Sequence, residues 1–294
     1  MTPVLVRQHL PHAGPVPRTD PGARARDWSE IQERMLVPLY EAVHERLEVG
    51  PRTRLLGLGC GSGLALVLAA SRGAALTGVE SASPQRLALA RERLESGERE
   101  ARVRGDVRLT DAVPGDTAGV TAPAYNLVTA FEPIGFRAGD AEALADLLTS
   151  AVPLTERGAP VVLVGWGPPE RCATSAVVRA VAGPEAVART GGADGRPRGA
   201  GRLRHALRDD LEEAAQRAGL RPDGSGRVAC PFGYAGVDSA LKGLLSTGLF
   251  DAAVAATDQE QVAKELAEAL HPYRRRDGTV WMPNVFRYLI ARTP

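Results

Sequence analysis

The stretch Leu55-Leu56-Gly57-Leu58-Gly59-Cys60-Gly61-Ser62-Gly63 decides how this chain is read. Its first four residues make a short apolar run, the pattern of a strand buried on both faces. Glycines at every second position follow, and behind them come the apolar, helix-forming residues 64–71. Glycine in that setting lets backbone approach a ligand where any Cβ would collide, and the start of the next helix offers unpaired N–H groups. At the end of the following strand-like run, 74–79, stands Glu80. In a doubly wound sheet neighbouring strand ends meet at the switch crevice, which sets Glu80 against the glycine loop. A carboxylate there suits the two hydroxyls of a ribose. The same spacing excludes a dinucleotide fingerprint, Gly-x-Gly-x-x-Gly, because its third glycine falls at Leu64.

Outward from this core the elements alternate. Trp28, Ile31, Met35, Leu36, Leu39, Ala42, Val43 and Leu47 recur at three- and four-residue spacing and predict a helix that Gly50-Pro51 stops. A helix over 84–94 opens with proline in its first turn. Strands are expected at 102–107, 125–131 and 160–164, with a helix at 141–148. Short apolar strands alternating with amphipathic helices imply an α/β fold, a doubly wound and mostly parallel sheet covered on both faces. Further helices are expected at 205–218, 237–245 and 259–270, a strand at 224–230, and one long β-rich stretch at 280–290.

Residues 1–27 hold five prolines and read as a flexible N-terminal arm; residues 28–294 read as one domain. The arm lacks the sustained apolar core of a secretory signal. No apolar run approaches the roughly 20 residues that cross a bilayer. Segments at about 182–204 and 232–278 are placed to cap the carboxyl ends of the strands, and such a cap suits a mid-sized, partly apolar organic molecule.

Composition narrows the classes. The 294 residues carry 36 basic and 35 acidic side chains, a net charge of +1, so no field gathers polyanions and a nucleic-acid partner is disfavoured. Cys60, Cys172 and Cys230 form neither a disulfide framework nor a metal-ligand pattern, which points to a reducing, cytoplasmic setting. The expected partner is a small-molecule substrate, without membrane or metal, for a monomer or homodimer. None of His9, His12, His44, His205 and His271 stands in a catalytic or ligand pair, and a structural role suits each better.

The run from Leu55 to Gly63, Gly78-Val79-Glu80-Ser81, Gly105-Asp106 and Tyr125-Asn126-Leu127-Val128 together resemble the motifs of class I S-adenosylmethionine-dependent methyltransferases. Pro231-Phe232-Gly233-Tyr234 and Asn284-Val285-Phe286-Arg287 look like a bacterial subgroup that acts on small molecules, plausibly secondary metabolites. The resemblance implies a seven-stranded Rossmann-like sheet and S-adenosylmethionine as cofactor. It implies that Gly59, Cys60, Gly61 and Gly63 line the methionine end, that Glu80 holds the ribose with Ser81 and Gln85 near it, that Asp106 and Val107 flank the adenine, and that Phe131 sits by the methyl group. The family's usual acidic residue is absent at Gly57, and Asn126 replaces another.

Methyl transfer from a sulfonium needs alignment and desolvation, and a general base only if the nucleophile arrives protonated. Glu132, just after the fourth strand, is the expected base; a solvated loop carboxylate is the competing account. Cys60 reads as a small filler, and Trp166 as either a pocket wall or a core aromatic. Gly57 keeps open a second reading, a methyltransferase-like protein that binds the cofactor or a metabolite and catalyses a different reaction such as cyclisation. A nicotinamide oxidoreductase is the weaker third.

Overall fold

The computed structural model describes residues 20–99, 106–112, 125–183 and 209–294. Two helices, α1 (Pro21–Asp27) and α2 (Val37–Arg46), flank a π-type turn at Trp28–Gln32 and a tight turn at Glu33–Leu36. The α/β alternation follows: β1 (Arg54–Leu58), α3 (Leu64–Ser71), β2 (Ala75–Val79), α4 (Pro84–Arg99), β3 (Val107–Thr110), β4 (Leu127–Ile134), α5 (Asp140–Ala151), β5 (Pro160–Trp166) and α6 (Ala173–Ala182). The last part comprises α7 (Asp210–Arg217), β6 (Arg221–Ala229), β7 (Phe232–Tyr234), α8 (Val237–Ser246), α9 (Asp251–Ala256), α10 (Gln259–Ala269), β8 (Val280–Met282) and β9 (Val285–Arg292).

Seven strands form one sheet in the order β3-β2-β1-β4-β5-β9-β6. Every pair is parallel from β3 to β5, and β9 alone runs against its neighbours β5 and β6. Strand order reverses between β1 and β4, so their carboxyl ends open the switch crevice. Alternate residues serve opposite faces. Leu56, Leu58, Val161, Leu163, Leu289 and Ala291 pack with α5 and α7, whereas Leu55, Val162, Val164, Phe286 and Ile290 pack with the helices of the other face.

The fold departs from the sequence reading in four places. The first helix starts at Pro21, ahead of the apolar stripe, because proline at the first helical position loses nothing and Asp20 caps Gly22 N at 3.0 Å and Ala23 N at 3.2 Å. The last residues of the expected N-terminal arm are thus helical, and residues 1–19 lie outside the described residues. The third strand is Val107–Thr110, not 102–107, and residues 102–105 also lie outside the described residues. The fourth runs on to Ile134 through an irregularity between Ala130 and Ile134. The stretch at 280–290 is two strands, because Pro283 lacks a ladder donor and Asn284 turns the chain. As a result β8 pairs with β7 in a separate ribbon, and only β9 joins the main sheet. Most of the expected cap at 182–204 falls on residues outside the described set; residues 232–278, the other expected cap, form β7, α8, α9, α10 and their connections.

Among the described residues no helix is long and apolar enough to cross a membrane. One buried group beneath the crevice gives the fold a pH response. His44 is fully buried against Phe131, with ring centroids 5.8 Å apart, and neither ring nitrogen has a hydrogen-bond partner among the described residues. Burial, reinforced by Arg72, pushes it down to about 4. The unfolded chain therefore binds the proton more tightly, and the stability this residue contributes is complete above pH 6.5 and lost as pH falls toward 4. The expected loss is up to about 3 kcal/mol. Urea unfolding at pH 7 and pH 4.5 checks this: His44→Leu should lose less stability between the two pH values than the unaltered protein, and equal losses would rule the account out.

Candidate functional site

The glycine loop links β1 to α3. Gly59, Gly61 and Gly63 all lie in left-handed backbone, with φ of +58°, +58° and +81°. At Gly63 a Cβ would also stand 3.0 Å from Ala90 Cβ of α4, so only glycine lets the two helices approach this closely. The loop is stitched to the next strand by Cys60 N–H donating to Val79 O at 3.0 Å.

Two buried carboxylates hold this loop. Glu80, 2% exposed, accepts from Gly61 N at 2.9 Å through Oε2, and from Ala82 N at 3.0 Å and Ser83 N at 3.1 Å through Oε1. It thereby ties the loop to the turn that opens α4. Burial, and then the neighbouring charge of Glu132, raise the Glu80 carboxyl above the ordinary glutamate value. From the other side Glu33, also 2% exposed, accepts from Ser62 N at 3.2 Å and from the Ser62 hydroxyl. Arg93 of α4 completes the group: Nη1 donates to Glu33 Oε2 at 2.7 Å and to Ser62 O at 2.8 Å, and Nη2 donates to Ser29 O at 3.2 Å. Glu33 is buried and Arg93 partly so, and removing the arginine would leave an uncompensated buried carboxylate.

The expected site residues divide accordingly. Gly59, Cys60, Gly61, Gly63 and Glu80 come together, with Ser81 and Gln85 exposed at the same edge. Cys60 is packed in the loop, and burial followed by the charges of Glu80 and Glu33 pushes its thiol up to about 12, which removes a thiolate role at neutral pH. Phe131 is buried, stacked on Tyr40 at 4.9 Å beneath the crevice. Asp106 and Val107 lie elsewhere. Asp106 precedes β3, at the amino end of the sheet, where its carboxylate is exposed and 3.9 Å from Arg108. The acidic residue at the crevice end of β3 is Asp111. The shift follows from the strand itself: β3 is a half-exposed edge strand whose apolar signal is weak.

Above the loop sit residues that sequence reasoning placed in a core stripe or passed over. Trp28 Nε1 lies 3.4 Å from where a Cβ of Gly61 would stand, and Arg86 stacks on the Trp28 ring at 4.2 Å. That indole N–H is buried and has no hydrogen-bond partner among the described residues. Beneath Trp28 and Arg86, around Gly57 to Gly61, the remaining cavity is about 30 Å³. At Gly57 a Cβ would meet Leu66 Cδ2 at 2.9 Å, so a leucine methyl crowds the place where an acidic side chain would start.

Next to this crevice, over the ends of β1, β4 and β5, lies a chamber of about 380 Å³. Trp166, Phe136, Phe232 and Phe286 wall it, in a cluster with Trp166 4.7 Å from Phe136 and 4.6 Å from Phe286. Trp166 is therefore both wall and core. Glu132 opens onto chamber and crevice alike, its Oε2 3.5 Å from the position of a Cβ on Gly59, and makes no hydrogen bond or ion pair among the described residues. His271 lies far along the chain in a turn after α10 and lines neither cavity. Among the described residues no group of His, Cys, Asp or Glu is arranged to hold a metal ion.

The bracing by Glu80 is directly measurable. Glu80→Ala strands three N–H donors in and around a buried loop, and each buried donor left unpaired costs about 1–3 kcal/mol. A loss of at least about 2 kcal/mol in denaturant unfolding is expected; a variant that unfolds like the unaltered protein would remove the bracing role.

No protein-family model matches the chain, and no curated protein matches it by sequence. Solved structures do. A methyltransferase candidate from Bacillus halodurans superposes with a TM-score of 0.52 at 13% identity, over 87% of this chain and 98% of that one. The YcgJ protein of Bacillus subtilis gives 0.50 at 13% identity, over 87% and 98%. A geranyl diphosphate C-methyltransferase from Streptomyces coelicolor, solved with S-adenosyl-L-homocysteine, gives 0.48 at 18% identity, over 89% and 80%. The fold of this chain is that of the class I methyltransferases.

Proposed function

We propose that this chain binds S-adenosylmethionine at the glycine loop and transfers its methyl group to a small organic molecule held in the aromatic chamber, in secondary metabolism. The observation that carries this reading is the chamber's position. It opens on Gly59 and Glu132 at the switch crevice, so a substrate there lies beside whatever the loop holds.

The residues present fit such a cofactor. Gly59 and Gly61 leave a cradle that side chains would fill, and Trp28 Nε1–H is a buried donor for which none of the described residues supplies an acceptor. Glu80 uses three of a carboxylate's roughly four acceptor sites on backbone amides, which leaves about one for a ribose hydroxyl. Ser81, Gln85 and Asp111 stand at the same edge. Entry of a nucleoside requires the Trp28–Arg86 stack to lift from Gly61, because about 30 Å³ does not hold one. Bound S-adenosylmethionine supplies a methyl group already activated on sulfur. The chain's own residues then hold the acceptor in line and exclude water, through Trp166, Phe136, Phe232 and Phe286. Glu132 takes the proton of a hydroxyl, amine or enol nucleophile.

A second reading stays in view, a protein of this fold that binds the cofactor or a metabolite and catalyses a non-methylating reaction such as cyclisation. Gly57 favours it, because the usual acidic group is absent there and the Leu66 Cδ2 methyl stands 2.9 Å from where its Cβ would lie.

Titration calorimetry with S-adenosylhomocysteine separates binding from fold alone. Micromolar or tighter binding is expected, and no heat of binding would sink the first reading. With labelled S-adenosylmethionine and a panel of phenols and ketones, transfer should fall by about 10²-fold or more in Glu132→Gln while S-adenosylhomocysteine affinity stays unchanged. A variant that transfers as fast as the unaltered protein would remove the base assignment. Cofactor binding together with substrate turnover that leaves the methyl group in place would favour the second reading.

A further inference from the structure

The chamber is apolar except at a few points, and one of those is built with care. Gln32 ends the π-type turn that Trp28 begins, and it is only 2% exposed although it lines the chamber. Its Oε1 accepts from the Tyr234 hydroxyl at 2.9 Å, across 202 positions of sequence. Tyr234 is itself 2% exposed, and burial holds its phenol protonated well above the usual tyrosine range, so it remains a donor. With Oε1 committed, the carboxamide turns Nε2 the other way. Nε2 has no partner among the described residues. It is also not one of the side-chain atoms sealed from solvent without a bond, namely Trp28 Nε1, both nitrogens of His44 and Thr174 Oγ1. Nε2 is therefore not wholly sealed, and the cavity that Gln32 lines is the chamber.

A buried amide oriented by a second buried side chain, with both donors unspent and aromatic rings around it, is a recognition device. Apolar walls alone discriminate weakly between a molecule and its analogue lacking one oxygen. A site built to hydrogen-bond that oxygen rejects the analogue, because its own polar group is then left unpaired. π-type turns occur often at functional sites, and this one places Trp28 at the glycine loop and Gln32 at the chamber.

We infer that Gln32, oriented by Tyr234, selects the substrate: a planar, largely apolar molecule carrying an acceptor oxygen, such as an aryl ketone or ester, received by the Gln32 Nε2–H groups inside the aromatic chamber. Gln32 is the specificity-determining donor and Tyr234 a positioning residue. The inference rests on the chamber being the substrate site of the proposed reaction.

The test uses two probes of the same shape, 2-acetonaphthone and 2-ethylnaphthalene, with binding followed by tryptophan fluorescence on the full chain. The ketone should bind about tenfold or more tightly than the hydrocarbon, the discrimination a good hydrogen bond gives. Gln32→Glu keeps an acceptor for Tyr234 and removes the donors, and it should abolish that preference while leaving hydrocarbon affinity within about twofold. Gln32→Met, close in shape and without donors, should do the same and serves if the glutamate variant fails to fold. Tyr234→Phe should shrink the preference without reversing it, a change in ratio that mere loosening of the fold would not produce. Equal affinity for both probes in the unaltered protein, a preference that survives Gln32→Glu and Gln32→Met, or no binding of either probe would each overturn the inference. S-adenosylhomocysteine binding is measured alongside: cofactor bound without ketone preference overturns this inference alone, and no cofactor bound overturns the methyl-transfer reading.

Discussion

The site depends on how a loop of almost bare backbone is kept in one shape. Glycines give the loop its left-handed turns, but the same residues leave it nothing to pack with. Its order comes from two buried carboxylates on opposite sides, Glu80 from the tip of β2 and Glu33 from the segment between α1 and α2. Each accepts from loop amides, and Arg93 neutralises one of them. Low local dielectric strengthens these bonds and makes each costly to lose. The loop, the opening of α4 and the N-terminal turns are consequently one unit, and what covers the switch crevice is the same segment that lines the chamber.

That unit also explains why Gly57 is compatible with an intact loop. A carboxylate at the end of β1 would share the space of Leu66. Here negative charge reaches the loop from Glu33, Glu80 and Glu132, on three separate elements. Glu132 stands apart from the other two. The irregular stretch of β4 between Ala130 and Ile134 carries it out to the edge of both cavities, unpaired. Glu132 has no partner among the described residues, whereas the two paired carboxylates hold the shape of the loop.

Much of the architecture was legible in the sequence because its signals are local. The apolar runs of β1, β2 and β5 are buried on both faces and read as continuous stretches, and the glycine loop with Glu80 is a matter of spacing. Asp106 was misplaced because β3 is a half-buried edge strand in which Arg108 interrupts the apolar run, so the preceding residues looked as strand-like as the real ones. Pro283 does mark the break in the last β-rich stretch, but the dense Val, Trp, Phe and Tyr around it masked the signal. The roles of Trp28, Gln32 and Glu33 were not legible at all. Each depends on a partner far along the chain, such as Arg93 or Tyr234, and one-dimensional periodicity assigns them only a face of a helix.

The break at Pro283 and Asn284 has a mechanical meaning. Asn284 O accepts from Cys230 N at 2.9 Å and its Oδ1 accepts from Thr174 N at 3.1 Å, so the point where the ribbon leaves the central sheet is pinned to two other elements. Phe232 and Phe286, one strand to either side of that junction, meet with ring centroids 6.1 Å apart. The Phe232 wall of the aromatic chamber is thus tied to the central sheet at its root. At the opposite wall an indole rests on glycine, with Trp28 Nε1 3.4 Å from where a Cβ of Gly61 would stand and the Arg86 guanidinium over its ring.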